Sequence, residues 1–117
     1  MTKNSKHYDL EERTLKFAKE MIEFIKTIPK TMANIEIAKQ LIKSSSSVGA
    51  NYIEANESLS KKDFVMRIKI CRKESKESAY WLKLIEVKLQ GEKERERLLE
   101  EATQLTKIFN SIVGKSR

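Results

Sequence analysis

The chain has 117 residues with a formal charge of +7, and it contains three glycines, one proline and one cysteine. That length fits one domain, residues 1–117, with a modest core. So few glycines and prolines exclude an all-β fold with its many turns, and the prevalence of Lys, Glu, Leu, Ile, Ser and Ala points to an all-α one. A single cysteine excludes an internal disulfide framework. No apolar run approaches the roughly 18 residues of a membrane span, and the opening MTKNSKHYDLEE lacks the apolar centre of a signal peptide. The expectation is a cytoplasmic protein without membrane contact. The basic balance favours nucleic acid or an acidic partner.

Residues 1–8 are polar and hold His7, the only histidine, with nothing beside it to build a catalytic or metal site. Asp9 is placed to cap a first helix over about 10–28, with Glu11 and Glu12 at the positive end of its dipole. Leu10, Phe17, Met21, Phe24, Ile25 and Ile28 recur at steps that put them on one helical face, and Pro29 ends the run. A second helix spans about 34–58, capped by Thr31 or Asn34, with Ile37, Leu41, Ser45, Val48, Tyr52 and Ile53 as its face.

The middle of that second helix, Ser44-Ser45-Ser46-Ser47-Val48-Gly49-Ala50, is unusual. Serine and glycine in mid-helix cost roughly 0.5–1 kcal/mol each relative to alanine. A helix that carries them must be held by tertiary contacts, and small side chains let neighbouring backbones approach. The expectation is an innermost helix with others pressed against it, rather than a serine-rich linker.

Ser60-Lys61-Lys62-Asp63 has the form of a capping box and starts a third helix over about 61–90. Phe64, Ile68, Cys71, Ser75, Ser78, Leu82, Ile85 and Leu89 alternate steps of four and three, a seam of coiled-coil type. Cys71 lies on the seam and reads as a buried thiol. Gly91 suits the left-handed residue that ends a helix. A fourth helix over about 93–113 carries Leu98, Leu99, Ala102, Leu105, Ile108, Phe109 and Ile112. Short connections make neighbours antiparallel, giving an up-down-up-down antiparallel four-helix bundle.

Little here can carry chemistry. Metal sites in such bundles use Glu-x-x-His pairs, and the sole histidine is in the tail. Glu54, Glu74 and Glu77 could be imagined as a carboxylate cluster, but pairing with Arg67, Arg72 or lysines suits them better. One cysteine argues against zinc. There is no phosphate-binding glycine loop and no base to activate a serine. The expectation is no enzyme, no metal and no cofactor.

The main surface feature is on the third helix. Lys62, Lys69, Lys76 and Lys83 recur every seven residues, about 10.5 Å apart along the axis, away from the apolar seam, with Lys73 beside them. Such a row can track a phosphate backbone, and lysine rather than arginine argues against bidentate base reading. It also suits a merely solvated face. Tyr80 and Trp81 flank the seam and are candidates for a subunit contact or for the edge of the chain's own core.

Ser47-Val48-Gly49-Ala50-Asn51 followed by Glu54-Ala55, with Lys43-Ser44 before it, resembles the S-[IV]-x-A-N-x-x-E-G signature of the four-helix bundle proteins first noted in intervening sequences of bacterial large-subunit ribosomal RNA genes. Asp63-Phe64, Lys73-Glu74-Ser75-Lys76-Glu77 and Tyr80-Trp81-Leu82 resemble that family's second segment. The likeness runs over roughly residues 8–112, with Ala55 where glycine is usual. It implies a ring-like homo-oligomer, a homopentamer, with a basic surface. A similar fold occurs in the accessory variability determinant of diversity-generating retroelements, which associates with a reverse transcriptase and binds nucleic acid without strong sequence preference. The resemblance makes Ser47, Asn51, Glu54, Glu74 and Glu77 architectural residues. The resulting expectation is a non-catalytic oligomeric accessory protein that binds RNA or DNA backbone through Lys62, Lys69, Lys73, Lys76 and Lys83, with a reverse transcriptase as a candidate partner. The alternative is a protein-interaction scaffold that binds no nucleic acid.

Overall fold

Apolar side chains at three- and four-residue steps can all reach one core only if their segments coil as helices and lie side by side. The computed structural model describes residues 5–116, with side chains from Leu10 to Ser116, so the reading of His7 lies outside the described side chains. The helices are α1 (Ser5–Ile25), α2 (Met32–Asn56), α3 (Lys61–Leu84) and α4 (Glu92–Lys115), the last preceded by a single 3₁₀ turn at Leu89–Gly91. Helix α2 packs along α1 and α3, α3 packs along α4, and α1 meets α4 more sparsely. This is the expected all-α antiparallel four-helix bundle, 44 × 27 × 19 Å in extent.

The core contains Phe17 and Met21 from α1, Leu41 and Val48 from α2, Ile68 and Leu82 from α3, and Leu98, Leu105 and Phe109 from α4. Tyr52 and Phe109 meet across it with ring centroids 5.9 Å apart. The sparsely packed α1–α4 edge is held instead by charge. Arg13 donates from Nε and Nη2 to both oxygens of Glu101 at 2.6 and 2.8 Å, and Arg97 donates to Glu20 at 3.0 Å. The two-pronged geometry makes the Arg13 pair the stronger of the two.

The serine run is one of the places where α2 and α3 are joined by polar groups. Ser44 and Ser45 are buried on α2, and Ser75 and Ser78 on α3. The hydroxyls of Ser44 and Ser78 hydrogen-bond across the interface at 2.8 Å, and Ser75 donates back to the Cys71 carbonyl at 2.9 Å. Neighbours do press on this stretch at Ser44, Ser45 and Val48, but α2 is not an innermost helix, because Ile42, Lys43, Ser46 and Ala50 on its outer side are exposed.

Several boundaries differ from the sequence expectation. Asp9 does not cap α1, whose backbone already turns from Ser5. Helix α1 ends at Ile25, not Ile28, because Thr27 folds its hydroxyl and amide onto the Phe24 carbonyl, at 2.7 and 3.0 Å. Ile28 still reaches the core. Thr31 is the cap of α2, its hydroxyl accepting from the Asn34 amide at 3.1 Å. Ile53 is not on the core face, being 49% exposed. The largest difference is that α3 stops at Leu84, six residues short.

Asn34 explains that stop. Its side chain is buried and faces two loops at once. Nδ2 donates to the carbonyls of Pro29 at 3.0 Å and Glu86 at 2.8 Å, and Oδ1 accepts from the Glu86 amide at 3.0 Å. Glu86 is thereby held as though by a strand partner, and Ile85 before it is extended, with φ −69° and ψ 142°. Arg95 adds a donor to the Ile85 carbonyl at 3.0 Å. The seam therefore ends at Ile85, and Leu89 points to solvent. Gly91 has φ −94° and precedes α4 in right-handed geometry, so it does not take the left-handed role expected of it. Replacing Asn34 by Ala removes three hydrogen bonds and strands buried loop groups. We expect a loss of about 2–4 kcal/mol in urea unfolding, with the helical signal at zero denaturant retained.

Candidate nucleic-acid interface

Burial of Ile68, Cys71, Ser75, Ser78 and Leu82 fixes which way α3 faces. Helical geometry then turns Lys62, Lys69, Lys76 and Lys83 outward on the α4 side, and all four are exposed. Lys73 lies at the outer crest of the same helix. Arg72 links the row to α4 by donating to Asn110 Oδ1 at 2.8 Å. Lys69, Arg72, Lys73, Lys76 and Glu77 line one shallow groove. Along α4, Glu96, Thr103 and Asn110 fall at seven-residue steps with Lys107 between the last two, so this side carries both signs as well as neutral groups. Among the described residues, none of the five lysines enters an ion pair.

The opposite flank of α3, towards α2, carries Glu74 beside Arg67, with Glu77 near the crest between the two flanks. Glu74 and Glu77 lie one turn apart. Partial burial, reinforced by the neighbouring Glu77 carboxylate, raises the Glu74 carboxyl above its ordinary range, and Lys73 and Lys43 oppose the shift. Glu54 is exposed on α2. The expected pairing of Glu54 with Arg67 or Arg72 does not occur. Arg67 donates instead to Asn51 Oδ1 at 2.9 Å, while Arg72 is on Asn110. Asn51 also donates to the Ser47 carbonyl at 2.9 Å, so Ser47, Asn51 and Arg67 form one polar link between α2 and α3. No group of three or more His, Cys, Asp or Glu side chains suited to a metal occurs among the described residues.

Tyr80 is exposed and meets Trp81 edge-on, with ring centroids 5.0 Å apart. Trp81 is half-buried against the core, and its Nε1 is sequestered without a hydrogen-bond acceptor. Cys71 is fully buried and donates to the Val48 carbonyl at 3.4 Å. Burial pushes its thiol up to about 12, which removes it as a nucleophile. No described helix is long and apolar enough to cross a membrane.

Sequence reasoning places the lysine row but does not find Arg72 and Asn110, which tie that row to α4. The signal exists, since Arg72 is one step off the seam on the lysine side. Asn34 reads in the sequence as a cap and not as a clamp, because its partners are loop carbonyls, 52 positions away in one case.

The family model of the 23S rRNA-intervening sequence proteins matches residues 6–111. A solved structure from Bacteroides thetaiotaomicron, described as a protein with unknown function from the S23 ribosomal protein family, is similar to this chain. It is 27% identical, covers 93% of this chain and 98% of its own, and superposes with a TM-score of 0.79. No curated protein matches the sequence.

Two outcomes follow from this geometry. A Cβ at Gly49 would lie 2.9 Å from Thr14 Oγ1 and 3.2 Å from Thr14 Cβ. Gly49→Ala should therefore destabilise the bundle by about 1–3 kcal/mol in urea unfolding, with part restored by adding Thr14→Ala. The raised Glu74 carboxyl costs nothing while it is protonated in both folded and unfolded chains. Stability is lost as pH climbs from the ordinary carboxylate value, about 4.3, through the higher folded one. Glu74→Gln should be more stable than the parent at pH 7, by under about 1 kcal/mol for so exposed a group, and the difference should vanish below the carboxylate range.

Proposed function

Since the chain belongs to the 23S rRNA-intervening sequence protein family, we propose that it is a non-catalytic, homo-oligomeric accessory protein of the cytoplasm that binds the backbone of RNA or DNA. The single observation that supports this most is the unpaired lysine row on α3. Lysines repeating at about 10.5 Å along one helix face form a line of positive charge of the kind that meets a phosphate backbone. Lys62, Lys69, Lys76 and Lys83 can therefore meet phosphates, with Lys73 and Arg72 supplying further charge. Asn110 on α4 meets this strip through Arg72, adding a neutral hydrogen-bonding group beside the charge. Nothing along this strip forms the paired donors and acceptors that read base edges, so recognition is of charge and shape.

A reverse transcriptase is the partner that the resemblance to the retroelement accessory protein suggests, and a pentamer is the assembly. Lack of an activated nucleophile, with the only described thiol buried and held protonated, supports the non-catalytic reading.

The test is binding of mixed-sequence RNA and DNA across salt concentrations. Affinity should fall steeply with salt, and little preference among sequences should appear. Lys69→Glu, Lys73→Glu and Lys76→Glu in one chain should reduce the salt slope by about 3 and weaken binding by roughly a hundredfold or more at low salt, with unchanged thermal unfolding. Parent protein that ignores both nucleic acids at low salt would sink this reading and leave the protein-interaction scaffold.

A further inference from the structure

The bundle exposes two aliphatic faces that share α2. On that helix Ile35, Ile42 and Ile53 fall within about 20° of one line, and they are 45%, 43% and 49% exposed. On α1, Leu15 and Ile22 are one heptad apart and 55% and 42% exposed. Gly49 against Thr14, and Asn56 donating to Glu11 at 2.8 Å, fix how these helices face each other. With that facing, all five side chains lie along the outer α1–α2 groove. The second face is the outer α2–α3 groove. Met66, Ile70 and Leu84 lie within about 40° of one line beside Trp81, and Met66 and Leu84 are 48% and 53% exposed.

We propose that these two different faces are the two halves of a head-to-tail subunit interface, the α1–α2 face of one copy seating on the α2–α3 face of the next. The proposal rests on the homo-oligomeric part of the function proposed above, and it names the surfaces and the helix at the centre. Unlike faces make a heterologous contact, which closes into a ring when the rotation permits. In a square bundle, neighbouring faces have normals about 90° apart. A ring of four needs that angle, and a ring of five needs about 108°, within the scatter of helix packing. The corner shared by the two faces then points at the ring axis. That corner is α2, whose outermost residues midway along are Ser46 and Ala50, short side chains that let copies approach, with the long Lys43 beside them. Helix α4 and the lysine groove face outward.

The two faces also match in level. In a cyclic ring whose axis runs along the bundle, copies stand at equal height. Level within one copy is read from the observed contacts of α2 with α1 and α3: Gly49 with Thr14, Val48 with Cys71, Asn51 with Arg67. Counting from these, Ile53 is level with Met66, Leu15 with Ile70, and Ile35 with Leu84, each to within about a turn, while Ile22 and Ile42 are level with Glu77. Lys19 on α1, exposed and without an ion pair among the described residues, is level with Glu74 and Glu77. Burial is the first cause of the raised Glu74 carboxyl, and an incoming ammonium would offset the second, its repulsion by Glu77. One face of a bundle 44 Å long and at least 19 Å wide offers on the order of 800 Å², the area that each partner buries in a standard stable interface.

The experiment uses nucleic-acid-free protein and light scattering coupled to size exclusion. The parent should elute at four or five times its 13.6 kDa mass. Ile22→Glu with Ile42→Glu breaks the first face, and Met66→Glu with Leu84→Glu the second. These side chains are half-exposed, so circular dichroism and thermal unfolding should show each variant folded. Each should be a monomer alone. Mixed one to one, the two variants retain one intact pair of faces and should form a capped dimer of twice the subunit mass. A monomeric parent would overturn both the ring and the homo-oligomeric reading. An oligomeric parent with either variant still assembled, or a mixture that stays monomeric, would overturn these faces alone and leave the oligomer and the lysine groove standing.

Discussion

The structure depends on how closely α2 lets its neighbours come. On one side Gly49 leaves no room for a Cβ beside Thr14. On the other, the hydroxyls of Ser44 and Ser78 bridge α2 and α3 at 2.8 Å. Both are costs to an isolated helix that packing must offset. The offset is visible as close contact along the helix: Val48 lies under Cys71, and Tyr52 reaches Phe109 on the far helix. Serines here do what leucines cannot. They shorten the distance between backbones while still satisfying their own polar groups, although Ser45 Oγ is left without a partner. One such group is a modest penalty against the dispersion gained by the close approach.

Tight packing around α2 has a consequence for the rest of the bundle. The α1–α4 edge is packed least and is fastened by Arg13 with Glu101 and Arg97 with Glu20. Partly exposed ion pairs contribute little stability, so they select the pairing of helices more than they strengthen it. The loops are fastened differently. Asn34 joins the α1–α2 connection to the α3–α4 connection at the same end of the bundle, which sets where α3 may stop. A side chain that makes three backbone hydrogen bonds inside the protein can override the helical preference of the segment it holds.

That override marks where the sequence is legible and where it is not. Four helices, their order and most core positions follow from periodicity, because burial acts on every turn and leaves a repeating trace. The close α2–α3 contact is legible too, since a helix with four serines in a row holds only where neighbours press against it. The end of α3 is not. Ile85 and Leu89 continue the seam in sequence, and only a partner at position 34 reveals that the chain turns extended after Leu84. The pairing of Arg67 is likewise hidden. A carboxylate looks like the obvious partner for an arginine, yet the amide of Asn51 faces α3 and Glu54 faces solvent, a difference of one helical turn that charge counting does not see. The lysine groove is half legible: the row on α3 shows in the spacing, whereas its tie to α4 through Arg72 and Asn110 exists only once the helices are packed.

Helix α3 also separates two electrostatic tasks. Its α4 side carries lysines spaced by one heptad, and its α2 side carries Glu74, with Glu77 near the crest between them. About 100° of rotation per residue makes this separation possible, because a step of one or two residues moves a side chain from one groove to the next. The acids therefore do not neutralise the lysine row from within the groove, apart from Glu77 at its margin. Charges on opposite shoulders of one helix, about 10 Å apart across its width, are separated by about one Debye length at physiological salt. The α4 side of α3 is consequently the more basic one, while its α2 side mixes Glu74 with Arg67 and the nearby Lys43. A net charge of +7 spread evenly would draw polyanions to every side. The heptad row on α3, with Lys73 beside it, gathers five exposed lysines on one strip, while Lys16, Lys19, Lys39 and Lys43 place further positive charge on α1 and α2.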